Sequence, residues 1–285
     1  MMKSNMDSLV TISIPIYNAE RFLRDAILSV INQTYKDWTI RLINDGSTDN
    51  SLIIMQEFAA RDPRIKIIDD GLNKGLITRL NQSIDLTDTK YYARMDADDI
   101  MYVTRIEEQI KLLEEHKDID VCGASIMLID ANNKIVGSGY YEGNVSSFVH
   151  PSVMGKTTWF KKNIYAEWAV RAEDCELWLR TTISSNFYSI GKPLLFYREY
   201  GVPTFYKYYI TQKTLLKIYT KYKTYGKNFM WYIQNTVLTI SKIMIAVICA
   251  LVGKSDWLIS FRRRKTIPVE LCLTSEDLLH SVKNM

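Results

Sequence analysis

Asp96-Ala97-Asp98-Asp99 places three carboxylates within four residues. Carboxylate oxygens are hard ligands suited to Mg2+ or Mn2+, and such an ion takes about one or two of them from a protein segment and the rest from phosphates and water. That coordination suits a nucleoside diphosphate. A solvated acidic loop before a helix is the plainer reading, and for the triplet alone the better one. Asn44-Asp45-Gly46-Ser47-Thr48-Asp49 carries a second possibility. Asp45 can accept the imide N–H of a pyrimidine, Gly46 can let a ligand approach the backbone, and Tyr17 can stack on the base. A simple turn and helix cap accounts for those residues equally well. Asn73-Lys74-Gly75 offers an ammonium and free backbone N–H groups at a helix start, which suits a phosphate, although an ordinary helix start explains it better on its own. Glu173-Asp174 opens an amphipathic stretch, where a carboxylate can face a cleft as general base. Acidic residues are also routine there as complements to the helix dipole.

These groups need a scaffold that brings them together. Leu9–Ile16, Trp38–Ile43, Ile65–Ile68 and Tyr91–Met95 are short, β-branched apolar runs and read as strands. Between them lie helical patterns over Ala19–Ile31, from Ser47-Thr48-Asp49 to about Ala60, and over Lys74–Ile84 with Leu76, Leu80 and Ile84 on one face. A further helix runs from about Val103 to His116. Strand and helix alternating in this way indicate a parallel sheet covered on both faces, with ligands beyond the carboxyl ends of the strands. Each strand ends in polar residues, and those are the clusters above. After Asp118 the pattern changes: Val121–Ile129 and Lys134–Tyr140, joined by Asp130–Asn133, read as a hairpin. In the stretch after Asp174, Leu177, Trp178 and Ile183 are expected to face the core.

The chain has 285 residues, 47% of them hydrophobic, with 12 Gly and 6 Pro, which excludes collagenous, low-complexity and globally disordered classes. Cys122, Cys175, Cys249 and Cys272 form no CxxC pair and no disulfide scaffold, so a reducing compartment fits. The start of the chain does not read as a signal peptide. The net charge of +4 hides an asymmetry. Residues 1–205 carry 23 Lys/Arg against 28 Asp/Glu, and residues 206–285 carry 13 against 4. The acidic first part argues against a nucleic-acid surface; the basic tail is where an anionic partner docks.

Taken in order, the motifs say more than any one of them. VTISIPIYNAERFLRDAILSVINQTYKDWTIRLINDGSTDNS, then NKGL, ARMDADDI, HPSVM and AEDCELWLR, together resemble the family 2 glycosyltransferases over about residues 9–200. The resemblance implies a GT-A fold, a Rossmann-like nucleotide-binding domain with a mostly parallel central sheet flanked by helices. It also implies a nucleotide-sugar donor, a divalent metal (Mn2+ or Mg2+) and inversion at the anomeric carbon. Carried onto this chain, Pro15, Tyr17 and Asp45 line the nucleoside pocket, with Asn18 and Lys74 as further donor contacts. Asp96 reaches the ribose or sugar, Asp98 holds the metal with Asp99 assisting, and Asp174 is the catalytic base. The pairing of Tyr17 with Asp45 suits uracil and hence a UDP-sugar. The acceptor is a glycan or lipid-linked glycan, as in surface polysaccharide or lipopolysaccharide synthesis. A catalytically idle nucleotide-sugar-binding scaffold is the alternative, but such a relative is expected to lack Asp45, Asp98 or Asp174. A nucleotidyltransferase is expected to show a Gly-rich basic loop where Pro15-Ile-Tyr-Asn stands. The chain departs from the family in two places. It has no QxxRW motif, which favours single transfers. No arginine follows HPSVM closely, so Lys161 or Lys162 is expected to stand in. His150 is open between packing and acceptor contact.

The organisation expected is therefore a catalytic domain over 1–205 and a basic, tyrosine-rich helical extension over 206–285. Val237–Val252 is shorter than the roughly 20 apolar residues of a spanning helix and contains Lys242, which costs about 2.5–3.5 kcal/mol in mid-span. A helix lying in the interface of an anionic membrane is the preferred reading, with Trp231 and Trp257 at the boundary and the cluster Gly253–Lys265 on the headgroups. A core helix packed on the catalytic domain comes next and a true span third. The location expected is cytoplasmic, on the inner face of the cell membrane.

Overall fold

A computed structural model describes residues 9–200, 204–222, 229–252 and 272–283. The expectations for the first eight residues and for the Gly253–Lys265 cluster with Trp257 lie outside the described residues. The chain runs β1 (Val10–Ile16), α1 (Leu23–Ile31), β2 (Trp38–Asn44), α2 (Ser51–Arg61), β3 (Ile65–Ile68), α3 (Leu76–Asp85), β4 (Tyr91–Arg94), β5 (Ile100–Met101), α4 (Arg105–Glu115), β6 (Val121–Ile129), β7 (Ile135–Gly139), β8 (Gly143–Asn144), β9 (Met154–Lys156), α5 (Thr157–Lys162), α6 (Glu173–Thr181) and β10 (Phe187–Arg198). Helices α7 (Phe205–Lys221), α8 (Phe229–Leu251) and α9 (Ser275–Val282) follow.

The sheet order is β3-β2-β1-β4-β9-β6-β10-β5, with β7 paired to β6 and β8 to β10. Strands β3, β2, β1 and β4 are parallel. Strand β9 is antiparallel to both β4 and β6, so the parallel half gives way to a mixed half, and β6 and β7 form the expected hairpin. Residues of β1 alternate in role. Val10, Ile12, Ile14 and Ile16 join the core that packs α1, α2 and α4. Thr11 and Ser13 point the other way, where the hydroxyl of Ser83 on α3 donates to Ser13 Oγ at 2.5 Å. That second face carries Leu80 and Ile84 of α3 with Phe160 of α5 and Leu177 and Trp178 of α6.

Strand order reverses at β1: the chain moves outward through β2 and β3, then returns to the other side of β1 with β4. Strand β4 accompanies β1 only from Val10 to Ser13. Pro15 lies beyond that point, where its missing N–H leaves no ladder bond unmade toward β4. The parting of the two strands opens a crevice at the switch point, the usual ligand position in open α/β sheets.

Leu76, expected to share a face with Leu80 and Ile84, and Ile183, expected to face the core, are both exposed. Leu76 is 39% exposed, because α3 begins at Leu76 and its first turn borders cavities instead of the sheet. Ile183 is 57% exposed, because α6 ends at Thr181 and the chain turns before Ile183.

Helix α7 packs Ile218 and Tyr222 against Ala172, with Trp168, Leu179, Leu215 and Tyr219 around them. Helix α8 is longer than the apolar run suggested, because Phe229-Met-Trp-Tyr-Ile continues it toward the amino end without a Gly or Pro. Its window Phe229–Cys249 has 21 residues, long and apolar enough to cross a membrane by length and composition, so shortness is no argument against a span. Within it only Thr239, Ala246 and Cys249 are buried, and Leu238, Met244, Ile245 and Ile248 stand exposed. Among the described residues, α8 is therefore mostly exposed and does not sit in the core. Helix α9 returns to the sheet: the Asn32 amide donates to the carbonyls of Ser281 (3.0 Å) and Lys283 (2.9 Å), and Leu273 and Leu278 pack with Ile100 and Phe196.

Leu80 and Leu76 lie one turn apart but differ in burial, which gives a direct check of the fold. Leu80→Ala is expected to cost about 2–5 kcal/mol and Leu76→Ala less than about 1 kcal/mol, read as urea denaturation midpoints. Equal losses would show that the two leucines share one environment.

Candidate active site

The turns after β1 and β2 are locked together. Asn18 adopts the left-handed backbone region (φ 51°). Its N–H donates to Ser47 Oγ at 3.1 Å, and its side-chain oxygen accepts from Thr48 N at 2.8 Å. Asn18 therefore ties the turn after β1 to the β2–α2 turn through its backbone N–H and its side-chain oxygen. Tyr17, its neighbour, is 55% exposed at the end of β1. Pro15 is buried within β1.

Asp45 is tied to the start of α3. Its Oδ1 accepts from Lys74 N (2.7 Å), Gly75 N (3.2 Å) and Arg79 Nε (3.0 Å), and its Oδ2 accepts from Gly75 N at 3.1 Å. The backbone N–H groups expected to face a phosphate are thus turned onto the protein's own carboxylate. The Lys74 ammonium pairs with Asp70 at 2.6 Å. Gly46 (φ 70°) permits a close approach, but of the protein itself: a Cβ there would lie 2.8 Å from Asn73 N. These groups are thus engaged by the protein's own carboxylates, while Lys74 and Gly75 also border a cavity. The contacts on Asp45 leave its Oδ2 the less engaged oxygen.

The acidic run follows β4. Ligand atoms of Asp96, Asp98 and Asp99 all lie within 4.8 Å of one another. Burial, then the charge of Asp96, pushes the Asp98 carboxyl up to about 6, and the same causes raise Asp99 well above the ordinary range. Asp99 Oδ1 accepts from Arg198 N at 2.8 Å, while its buried Oδ2 has no hydrogen-bond partner among the described residues. Neighbouring carboxylates with an orphaned oxygen form a site short of positive charge, and the donor set is all hard oxygen. The residues therefore fit a divalent cation. Asp99, anchored to β10, is the fixed member, and Asp98 is the more accessible.

Two arginines balance part of this charge, and motif reading assigned neither a role. Arg94, 2% exposed, donates through Nη2 to Asp96 Oδ1. Its Nε and Nη1 have no partner among the described residues. Arg198 donates through Nε to the Asp98 carbonyl at 2.7 Å. Arg94 stands inside the quoted ARMDADDI, so its place beside the acidic run was the available signal. Arg198 is about a hundred residues distant and gave none.

A cavity of about 340 Å3 joins this region to α6, and its walls include Leu76, Arg94, Asp96, His150, Glu173 and Asp174. Burial raises the Asp174 carboxyl, opposed by the Cys175 N–H, which donates to Asp174 Oδ1 at 2.8 Å. Burial, then the Asp174 charge, pushes Glu173 up to about 7. His150 Nε2 and the Tyr165 hydroxyl are hydrogen-bonded at 2.7 Å, and burial, then the charge of Arg94, holds the imidazole well below its usual pKa. Neutral His150 makes no ion pair with Glu173, 3.9 Å away; it packs while also walling the cavity. Lys161 is no substitute for a cavity arginine, since it pairs with exposed Asp88 at 3.5 Å, and Lys162 is exposed on α5. Arg94 is the cation in that wall. A second cavity of about 650 Å3, bordered by Lys74, Gly75 and Arg171, shares Leu76 and Glu173 with the first. The structure thus brings Asp96 and Asp174 to one cavity, sets Asp98 and Asp99 beside Asp96, and links Asp45 to the neighbouring cavity through α3.

The profile of the family described as Glycosyl transferase family 2 matches residues 11–166. An uncharacterized glycosyltransferase of Haemophilus influenzae is 30% identical over 255 residues, covering 82% of this chain and 77% of its own length. In fold, the chain is similar to S. aureus TarS 1–349 in complex with UDP-GlcNAc (TM-score 0.64, 14% identity, 81% of this chain and 71% of that one). It is also similar to the mannosyltransferase PcManGT of Pyrobaculum calidifontis in complex with GDP-Man and Mn2+ (TM-score 0.58, 12% identity, 97% and 86%). The fold is GT-A.

The carboxylate cluster predicts a specific dependence. Asp98→Ala is expected to abolish saturable Mn2+ binding in the presence of a nucleoside diphosphate, followed by titration calorimetry. An unchanged Mn2+ isotherm would remove Asp98 from the ligand set.

Proposed function

Because the chain belongs to glycosyltransferase family 2, we propose that it is an inverting, metal-dependent enzyme that moves a sugar from a nucleotide-diphosphate sugar to a hydroxyl of a glycan or glycolipid. The setting proposed is the synthesis of a surface polysaccharide or lipopolysaccharide. The observation that carries this is the single cavity walled by Asp96 and by Asp174, with the Asp98–Asp99 carboxylates adjoining. A donor whose diphosphate lies toward the acidic run would present its anomeric carbon toward α6.

In this mechanism the acceptor hydroxyl loses its proton to Asp174 as its oxygen attacks C1 in line. The bond from C1 to the diphosphate oxygen breaks, and the nucleoside diphosphate leaves with the electron pair. Asp96, held by Arg94, orients the ribose or sugar. A divalent ion on Asp98, with Asp99 assisting, would supply charge neutralisation for the leaving diphosphate. Tyr17 stacks on the base, and Asp45 Oδ2 accepts its imide N–H, which favours uracil. A thermal-shift panel of UDP- and GDP-sugars with and without Mn2+ reports the donor, because a ligand that binds only the folded state raises its stability.

Asp174→Asn is expected to lower transfer by about 10²–10⁴-fold while donor affinity stays unchanged. The base works deprotonated, so activity is present above its pKa and is lost as pH falls through it. Burial raises that pKa. The acid limb of kcat/KM should therefore lie above the ordinary aspartate value of about 3.9. A limb at that value, or transfer by the Asn variant at the wild-type rate, would remove Asp174 from the role.

The basic 206–285 extension is proposed to seat the enzyme on the anionic inner face of the cell membrane, through the exposed apolar face of α8 and flanking lysines. The support is the exposure of Leu238, Met244, Ile245 and Ile248 together with the charge asymmetry of the chain. With Lys242 near its middle, α8 is assigned to the interface. Flotation with anionic vesicles is expected, weakened by salt and lost without 206–285. Flotation that withstands both high salt and alkaline carbonate would instead show a span.

A further inference from the structure

The acidic run is held on its carboxyl side by a very short strand. Strand β5 is Ile100-Met101 alone, it stands at the edge of the sheet, and it meets β10 in two pairs, Met101 with Leu195 and Ile100 with Phe196. Two pairs at an edge give little stability of their own. Asp98 and Asp99 immediately precede this strand, and their like charges work to push the segment apart. The strand therefore needs support from outside the sheet.

Helix α9 supplies it. Leu273 and Leu278 are buried in one apolar cluster with Ile100 and Phe196, a pair that joins β5 to β10, and with Met127 and Ile129 of β6. Ile100 follows Asp99 directly. Phe196 stands two residues before Arg198, whose N–H donates to Asp99 Oδ1 at 2.8 Å. Helix α9 thus lies against both segments that fix Asp99. The helix is itself fixed at each end. At its start the Asp277 carboxylate accepts from Thr274 N at 2.7 Å, and Thr274 Oγ1 accepts from Asp277 N at 3.3 Å. At its finish the carbonyls of Ser281 and Lys283, which a helix leaves without internal partners, accept from the Asn32 amide. Asn32 closes α1, and α1 also reaches β5, since Ser29 Oγ accepts from Met101 N at 3.0 Å. Helices α1 and α9 together clamp the strand that follows the acidic run.

We propose that α9 is a positioning element for the divalent-ion site: Leu278, acting through Ile100, holds Asp98 and Asp99 at the spacing that binds the ion. The inference rests on the reading of Asp98 as a metal ligand. The carboxylate oxygens hold the ion, and α9 places them, as supporting residues do around a preorganised site. The 206–285 extension then has a task inside the catalytic domain, separate from the membrane contact assigned to α8.

The test titrates Mn2+ into the full chain with UDP present, by calorimetry, at a temperature where each variant is folded. Leu278→Ala is expected to weaken Mn2+ binding about tenfold, at the low end of what losing the support of a metal ligand costs. Leu278→Met, which refills the space, should bring the constant back toward the wild-type value. Ile84→Ala is the control. Ile84 is buried near the carboxyl end of α3 in a different apolar cluster, so its loss should lower the melting temperature and leave the Mn2+ constant unchanged. Asn32→Ala leaves the apolar cluster whole but releases the end of α9, and it should weaken Mn2+ in the same direction as Leu278→Ala. An unchanged Mn2+ constant in Leu278→Ala, or in Asn32→Ala where the first does not fold, overturns the proposal. So does an equal weakening in Ile84→Ala, which would mark a loss common to any core defect. Asp98→Ala in the same assay separates the two levels. If the wild type binds Mn2+ through Asp98 and the α9 variants bind it as well, the positioning role falls and the metal site stands. If the wild type binds no Mn2+, or Asp98→Ala binds it unchanged, both fall.

Discussion

The constraint on which the molecule depends is the concentration of negative charge at the crevice where β1 and β4 part. Asp96, Asp98 and Asp99 arrive on one segment, and Glu173 and Asp174 of α6 wall the same cavity as Asp96. Burial raises Asp98, Asp99, Glu173 and Asp174 together. Like charges held this close are costly unless cations or hydrogen-bond donors compensate them. The fold supplies Arg94 from β4 and Arg198 from β10, and each reaches the acidic run at short range. What they leave uncompensated is a set of hard oxygens, Asp99 Oδ2 among them, suited to a divalent ion and the phosphates it would bring.

The remainder of the architecture positions this charge. Reversal of strand order at β1 creates the crevice, and Pro15 lies where β4 has already diverged. Asn18 and Asp45, expected to meet the ligand directly, also bond to the protein: Asn18 fixes the β2 turn, and Asp45 fixes the start of α3 with Arg79. Such anchoring has a functional consequence. Loops that border a polar cleft must not collapse into it, and internal bonds hold them open. Helix α6 does the corresponding work on the far side, pinned to α7 through Glu176 and Tyr222 while its first turn presents Glu173 and Asp174.

Much of this was legible in the amino-acid order, for reasons that particular residues make plain. Alternation in β1 and polar residues at each strand end marked the parallel sheet and its ligand edge, because both are local patterns of period two and of strand termination. Asp96, Asp98 and Asp174 could be picked out because their spacing within short motifs survives translation into any structure. Legibility stopped where a residue's role depends on a distant partner. Arg198 shields a loop about a hundred positions away. The backbone of Leu72 and Asn73 fills the space beside Gly46 that a ligand was expected to use. Leu76 and Ile183 fit an amphipathic pattern but stand at helix ends, where one residue of boundary error moves a side chain from core to solvent. Helix α8 was underestimated because aromatic residues, weak helix formers with apolar bodies, extend it past the aliphatic run.

The central claim is that the acidic run and α6 serve one donor. Its most direct test is a crystal structure with UDP and Mn2+ in which the metal is located by anomalous scattering. The account predicts a manganese peak against Asp98, the diphosphate oxygens completing its shell, and the end of the diphosphate directed into the cavity walled by Asp96 and Asp174. A peak elsewhere, or a nucleotide whose diphosphate points away from α6, would contradict it.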